Sequence, residues 1–193
     1  DHYDAASFPP EDPSYKVGEL SWFEAYPFLR TIEIYLNTNK DTTCVQVGAS
    51  SGREISHFAR KFPAQDFIFT DGFEEVTKHA LRKYSRSNLS FETIRFKEIS
   101  KLLQCINRSN ILVFSSGSLQ YADPVELSSF LSACADVCGK RVDLVFSESC
   151  KISELTQGKE TSYPRGVFSY SHDYRTLAKS NGFEELEYAL IKP

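Results

Sequence analysis

Short apolar runs alternate with amphipathic stretches through most of the chain from residue 43 onward. The runs are four to eight residues long and predict buried strands, at 43–47, 67–70, 89–96, 111–114 and 142–146. The stretches between them predict helices, one ending near Phe62, one over 74–84 and one from Pro124 to about Cys138. Strands that alternate with helices favour right-handed crossovers and hence a mainly parallel sheet covered on both faces, which is a three-layer α/β/α fold.

The two ends of the chain depart from this alternation. Residues 1–20 are rich in proline and predict an irregular arm, and the capping-box spacing of Ser21 and Glu24 predicts a helix at 22–37. Towards the other end, the pattern predicts an irregular stretch, a helix and a last strand, at 149–171, 173–180 and 183–191. We therefore divide the chain into an N-terminal arm and helix at 1–42 and an α/β domain at 43–193.

Composition narrows the classes of function. A length of 193 residues with 41% hydrophobic residues suits one globular domain with a sizeable core. The net charge of −4 argues against a partner held through nucleic-acid phosphates. No apolar run approaches the roughly 18 residues of a membrane span, so we expect a cytoplasmic protein without a membrane partner. The five cysteines and four histidines are scattered without metal-ligand spacing, and we expect no metal site.

A glycine-containing turn follows the first predicted strand. In open parallel sheets, ligands bind outside the carboxyl ends of the strands, and this turn is the usual cradle. Here it runs from Gly48 to Gly52 and enters a helix at Arg53. The dinucleotide fingerprint G-x-G-x-x-G fails because Ser50 and Arg53 stand where it needs glycine, and the phosphate-loop pattern fails because its lysine is absent.

The segment from Val45 to Gly52 resembles the first motif of class I S-adenosylmethionine-dependent methyltransferases, an acidic residue, any residue and then G-x-G-x-G. Two of the three glycines are kept, with Ser50 in the middle and Gln46 at the acidic position. The resemblance implies a Rossmann-like methyltransferase fold with S-adenosylmethionine as cofactor. It implies that the residues of this motif bind the cofactor, namely Gln46, Gly48, Ser50 and Gly52.

Four later segments follow the same family order. Asp71, with Gly72, ends the second strand 19 residues after Gly52, where the family has an acid that accepts hydrogen bonds from both ribose hydroxyls. Glu98 follows the third strand, where the family binds adenine. The fourth strand ends in Ser115 and Ser116 and leads to Asp123-Pro124, like the segment that lines the cofactor and substrate cleft. The stretch 177–183 is similar to the closing helix, which ends in Gly-Phe before a sixth strand.

The family resemblance implies methyl transfer to an acceptor, which we expect to be a small molecule. A hydroxyl acceptor needs a general base, and the candidates for catalysis near the predicted cleft are Glu148, His172 and Tyr121. The candidates for substrate binding are Gln120, Tyr163, Arg165 and Trp22. We expect the arm and the long stretch at 149–171 to form a lid over the acceptor.

Structural roles compete with these functional ones. Asp71 is also typical of a helix cap, and Glu98 of a charged side chain in a solvated loop. Glu148 is also typical of an ion-pair partner, and His172 of a residue at a helix start. The departures at Gln46 and Ser50 leave open a catalytically inactive methyltransferase-like module for interaction or regulation, or another Rossmann-like enzyme that uses a nucleotide. A homodimer stays open as well. The chain contains no methionine and leaves no residues for a seventh, antiparallel strand, so we expect a trimmed chain or a reduced fold.

Overall fold

A five-stranded parallel sheet forms the centre of the protein. The computed structural model describes residues 27–150, 161–165 and 167–187. The strands lie in the order β3-β2-β1-β4-β5, and every neighbouring pair is parallel. Their bounds are β1 Thr42–Val47, β2 Asp66–Asp71, β3 Leu89–Thr93, β4 Asn110–Ser116 and β5 Arg141–Ser147.

Six helices and a small hairpin accompany the sheet in the described ranges. The helices are α1 Pro27–Thr38, α2 Arg53–Lys61, α3 Glu74–Tyr84, α4 Ile99–Cys105, α5 Pro124–Ala135 and α6 Tyr174–Ser180. Two 3₁₀ turns lie at Phe96–Glu98 and Leu119–Tyr121. The hairpin pairs β6 Ser162–Pro164 with β7 Tyr170–His172 in antiparallel register.

The two faces of the sheet carry separate cores, as the period of two along a strand dictates. In β1, Cys44 joins the core beneath α1, α2 and α3, whereas the next residue, Val45, joins the core beneath α4 and α5. In β4, Leu112 and Phe114 face the first core and Val113 faces the second. Helices therefore cover both faces, and the predicted three-layer α/β/α architecture is confirmed.

Local sequence explains why α5 begins where it does. The Asp123 side chain accepts hydrogen bonds from the backbone N–H groups of Val125 and Glu126, both at 2.8 Å. Pro124 occupies the first helical position, where its missing N–H costs nothing. The predicted start of this helix is confirmed, and it fixes the direction in which the chain leaves the carboxyl end of β4.

The strand order reverses between β1 and β4. The chain moves outward from β1 to β2 and β3, then crosses back to β4 on the other side of β1. The turn after β1 and the turn after β4 therefore lie side by side, at the place where ligands bind in sheets of this kind.

Four parts of the structure differ from the sequence prediction. The strand β3 ends at Thr93 rather than at Phe96, where a 3₁₀ turn begins. The last strand is wrong over 183–187, which pair with no strand, because the Phe183 N–H donates to the Ala178 carbonyl and its ring packs against the second core. The helix α4 was not predicted, and the stretch at 149–171 contains the β6–β7 hairpin.

Part of the sequence prediction lies outside the described residues. This holds for the arm at 1–26 with its capping box and Trp22, for 151–160 and for 188–193. The lid and the division at residue 42 therefore stay predictions. Among the described helices, none is long and apolar enough to cross a membrane.

Candidate functional site

The glycine turn after β1 is packed tightly against the turn after β4. Gly48 and Gly52 have φ of +61° and +73°, and Ser50 between them has φ of +48°. A Cβ added to Gly48 would lie 2.4 Å from the Cβ of Ser118, whose hydroxyl donates to the Gly48 carbonyl at 2.7 Å. Internal packing and positive φ thus account for the glycine at 48, and the case for a ligand rests on the side chains around the turn.

Gln46 is turned inward beneath this turn. Its side chain is 2% exposed, its Oε1 accepts from the Ile55 N–H at 3.1 Å, and its Nε2 donates to Glu54 at 2.5 Å. Both bonds run to the first turn of α2. The carboxamide therefore fastens β1 to α2 and shapes the turn from below.

Asp71 faces the glycine turn from the end of β2. Its Oδ2 accepts from the Ser50 N–H at 2.9 Å and its Oδ1 from the Phe73 N–H at 3.0 Å. Burial raises the pKa of this carboxyl, and the N–H groups of Phe73, Ser50 and Gly72 oppose that rise. Each oxygen has a further lone pair, so the carboxylate can also accept from two neighbouring hydroxyls.

Glu98 lies in the 3₁₀ turn on the segment that follows β3. The Ile94 N–H donates to the Asp71 carbonyl at 2.9 Å, which ties this segment to the end of β2. The half-buried Glu98 accepts the Arg95 N–H on its Oε2 at 3.0 Å. The structure thus brings Asp71 and the glycine turn together, and the segment that carries Glu98 begins at the same edge of the sheet.

Glu148 follows β5, and its carboxylate accepts hydrogen bonds from the end of β4 and from the turn after it. Its Oε1 accepts from the Ser115 hydroxyl at 2.6 Å and from the N–H groups of Ser118 and Leu119 at 3.2 Å, and its Oε2 accepts from the Gln120 N–H at 3.4 Å. Burial raises the pKa of Glu148 to about 7, against the lowering effect of these donors.

Glu54 is a second buried carboxyl that the sequence analysis missed. It lies in the first turn of α2, is 9% exposed, and has its pKa raised to about 7, mainly by burial and further by the charge of Glu148. Hydrogen bonds from Ser116 and Gln46 oppose the rise. A signal was present in the sequence, because Glu54 stands two residues after Gly52 in the turn that faces the strand ends.

His172 anchors the hairpin to the turn after β4. Its ring is fully buried, with Nδ1 at 2.8 Å from the Ser162 hydroxyl and Nε2 at 3.1 Å from the Ala122 carbonyl. A carbonyl only accepts, so Nε2 carries the hydrogen and Nδ1 accepts from Ser162. Burial lowers the pKa of His172. Both nitrogens are engaged, and the lowered pKa favours the neutral imidazole.

The remaining described candidates lie on the turn after β4 and on the hairpin. The Arg165 guanidinium donates to the Gln120 Oε1 and to the Ser149 carbonyl, both at 3.4 Å. Tyr163 is half-buried in β6, where it pairs with Ser171, and Tyr121 is 59% exposed. Across the described residues, no group of three or more His, Cys, Asp or Glu is placed to hold a metal ion.

Comparison with known proteins identifies the fold. No protein-family profile matches the sequence, and no curated protein does. Solved structures do match. The methyltransferase domain of bacterial CtHen1 aligns with a TM-score of 0.58 at 14% identity, over 81% of this chain and 84% of that one. The chain has the class I methyltransferase fold.

Two further methyltransferase structures show the same likeness. A TehB-like S-adenosylmethionine-dependent methyltransferase from Corynebacterium glutamicum aligns with a TM-score of 0.52 at 13% identity, over 82% of this chain and 73% of that one. A Galdieria sulphuraria protein, provisionally named a sarcosine dimethylglycine methyltransferase, aligns with a TM-score of 0.58 at 15% identity. That alignment covers 83% of this chain and 63% of the other, so this chain spans less than two thirds of its length.

Proposed function

We propose that the protein is an S-adenosylmethionine-dependent methyltransferase that acts on a small-molecule acceptor. The observation that carries the proposal is the buried Asp71 carboxylate at the end of β2, which faces the glycine turn of a class I methyltransferase fold. A carboxylate held by backbone N–H groups with lone pairs to spare suits the two adjacent hydroxyls of a ribose. The chain's acidic balance supports a small acceptor over a nucleic acid.

In this proposal, different residues around the strand ends bind different parts of the cofactor. Asp71 and Gly72 hold the ribose, Glu98 receives the adenine, and the turn from Gly48 to Gly52 lies along the methionine part, with Gln46 supporting it from below. Ser115 and Ser116 close the cleft from β4. Bound S-adenosylmethionine supplies an electrophilic methyl group, and the protein's part is to orient the acceptor and exclude water.

Glu148 is the strongest of the three candidates for a general base. A pKa of about 7 suits proton transfer near neutral pH, and Oε2 accepts a single hydrogen bond among the described residues. His172 has both nitrogens engaged, and Tyr121 lies largely in solvent. A hydroxyl acceptor would therefore lose its proton to Glu148, whereas a carboxylate acceptor would need no base.

Calorimetric titration tests the cofactor site directly. We expect S-adenosylmethionine and S-adenosylhomocysteine to bind in the micromolar range, and Asp71→Ala to weaken both at least tenfold, about 1.4 kcal/mol, because the ribose hydroxyls lose their acceptor. Asp66→Ala, at the exposed start of the same strand, is the matched control and should bind as the native protein does. Absence of binding at millimolar ligand would contradict the proposal.

A second candidate is a methyltransferase-like module without catalysis, for interaction or regulation. Gln46 favours this candidate, because it stands where the family motif has an acid and because both polar atoms of its side chain are hydrogen-bonded to α2. S-adenosylhomocysteine binding without methyl transfer to a broad panel of acceptors would support this candidate. Turnover of any acceptor would reject it.

A further inference from the structure

The turn after β1 carries an amide, Gln46, where the motif it resembles carries an acid. Gln46 does not bind a ligand itself, because its side chain is 2% exposed and both of its polar atoms bond to the first turn of α2. The methionine part of S-adenosylmethionine has two cationic groups, a sulfonium and an ammonium, and one carboxylate. A protein that encloses it therefore needs a negative charge close to the glycine turn.

The carboxyl of Glu54 lies one hydrogen bond away from Gln46. Its Oε2 accepts from the Gln46 Nε2 at 2.5 Å, and the carboxyl also accepts from the side chain of Ser116 at the end of β4. An amide and a hydroxyl are neutral donors, so they orient the carboxylate without cancelling its charge. Glu54 is thereby held among β1, α2 and β4, which are the elements on either side of the glycine turn.

Two other acids at this edge of the sheet have their charges engaged. Glu148 accepts from the Ser115 hydroxyl and from three backbone N–H groups of the turn after β4. Asp71 accepts from two backbone N–H groups and lies at the end of β2, where the proposal gives it the ribose. Glu54 is the acid that remains to balance a cation beside the turn after β1.

We infer that Glu54 supplies, from the first turn of α2, the negative charge that the family motif supplies from position 46, and that this charge balances the cationic methionine part of the cofactor. The inference rests on the proposed methyltransferase function. Gln46 then serves to position the carboxylate, and its own lack of charge is compensated. Little water screens a charge in a buried site, so the carboxylate can act without direct contact with the cofactor.

This role makes cofactor binding depend on the ionisation of Glu54. Burial and the charge of Glu148 raise the pKa of Glu54 to about 7, against the lowering effects of Ser116, Gln46 and the charge of Arg53. At pH 6 the carboxyl is mostly protonated, and a bound cation has to displace that proton. The contribution of Glu54 to affinity should therefore grow as the pH rises from 6 to 8.

Calorimetric titration of S-adenosylmethionine into Glu54→Gln tests this charge. Glutamine keeps the size of the side chain and an acceptor for Gln46 but cannot ionise. We expect the variant to bind about tenfold more weakly than the native protein at pH 8, and less than about threefold more weakly at pH 6. Glu92→Gln makes the same chemical change at an exposed position of β3, and this control should bind as the native protein does at both pH values.

Exchange of the two side chains separates charge from packing. In the double variant Gln46→Glu/Glu54→Gln, the amide and the carboxylate change places within the same hydrogen bond, and the acid returns to the motif position. We expect its affinity at pH 8 to recover to within about threefold of the native value.

Three results would overturn the assignment: native affinity in Glu54→Gln at pH 8, an equal loss at pH 6 and pH 8, or no recovery in the exchanged variant. Each of them presupposes that the native protein binds S-adenosylmethionine. Failure of the native protein to bind it would contradict the proposed function, and the inference with it, so the two failures are distinguishable.

Discussion

Glu54 and Glu148 approach the two serines that end β4, Glu54 from α2 and Glu148 from β5. Burial raises the pKa of each carboxyl to about 7, from an ordinary value of 4.5. Between pH 4.5 and about pH 7, each carboxyl is therefore protonated more fully in the native protein than in the unfolded chain. The contribution of each group to stability is therefore complete below pH 4.5 and is lost as the pH rises to about 7.

Glu54→Gln tests this pH dependence. Glutamine keeps the acceptor that Gln46 needs and cannot ionise. Between pH 4.5 and 7, the free energy of unfolding of the native protein should therefore fall relative to that of the variant, by an amount on the order of 2 kcal/mol. Urea unfolding at several pH values measures the difference. Glu92→Gln, on an exposed position of β3, is the control and should follow the native curve. Parallel curves for native protein and Glu54→Gln would contradict the pKa assigned to Glu54.

Single residues show where sequence reasoning reached the site and where it did not. Asp71 was accessible to it because an acid directly after a buried strand falls at the carboxyl edge of a parallel sheet whatever the details of packing. Glu54 was accessible only in part, because its place two residues after Gly52 directs attention to the strand ends, whereas its burial depends on how α2 packs against Gln46 of β1. The inward turn of Gln46 likewise depends on where α2 lies.

At the scale of elements, His172 connects the β6–β7 hairpin to the turn after β4 through one hydrogen bond from each nitrogen. The hairpin also carries Arg165, so this attachment positions the guanidinium beside Gln120 of the turn after β4. His172→Ala removes both bonds and the ring contacts with Tyr170 and Tyr174. The variant should release the hairpin while the parallel sheet stays intact.

Hydrogen exchange measures this release. In His172→Ala, the backbone amides of β6 and β7 should exchange at least tenfold faster, and those of β1 and β4 at the native rate. Because burial lowers the pKa of His172 below its ordinary 6.5, the native hairpin should also lose protection as the pH falls below 6.5. His57→Ala, on α2, should leave the hairpin unchanged. Uniform loss of protection throughout the sheet would show a global effect instead.

The elements that the sequence predicted well are those with long apolar runs or strong end signals. The strands β1, β2, β4 and β5 differ from prediction by at most two residues at each end, since continuous apolar runs identify buried parallel strands. The helix α4 was missed because seven residues with Ile99 and Leu103 as its buried positions carry little periodicity. The segment after Gly182 alternates like a strand, but Phe183 folds back onto α6.

At the scale of the molecule, α1 belongs to the main core although it precedes the first strand. Ile32 and Leu36 are fully buried beneath the sheet, whereas Ile34 on the same helix is 57% exposed. The part of the N-terminal region that the structure describes is therefore a structural member of the domain. A lid from the N-terminal region would therefore consist of residues before Pro27.

Two isoleucines of α1 provide a matched pair for testing this. Ile32→Ala should lower the free energy of unfolding by about 2–5 kcal/mol, because it removes a buried side chain and leaves a cavity. Ile34→Ala makes the same chemical change at an exposed position and should alter stability by less than about 0.5 kcal/mol. Chemical denaturation of both variants measures the difference. Similar losses, or none in either, would place α1 outside the core.

The contact between Gly48 and Ser118 has a consequence for how this chain can diverge. The two residues belong to turns 70 positions apart, and a Cβ at position 48 would overlap the Ser118 side chain. A larger residue at 118 would displace the turn after β1, and any side chain at 48 would displace the turn after β4. We therefore expect substitutions at the two positions to occur together, so that this pair covaries among related sequences that keep the packing of the two turns.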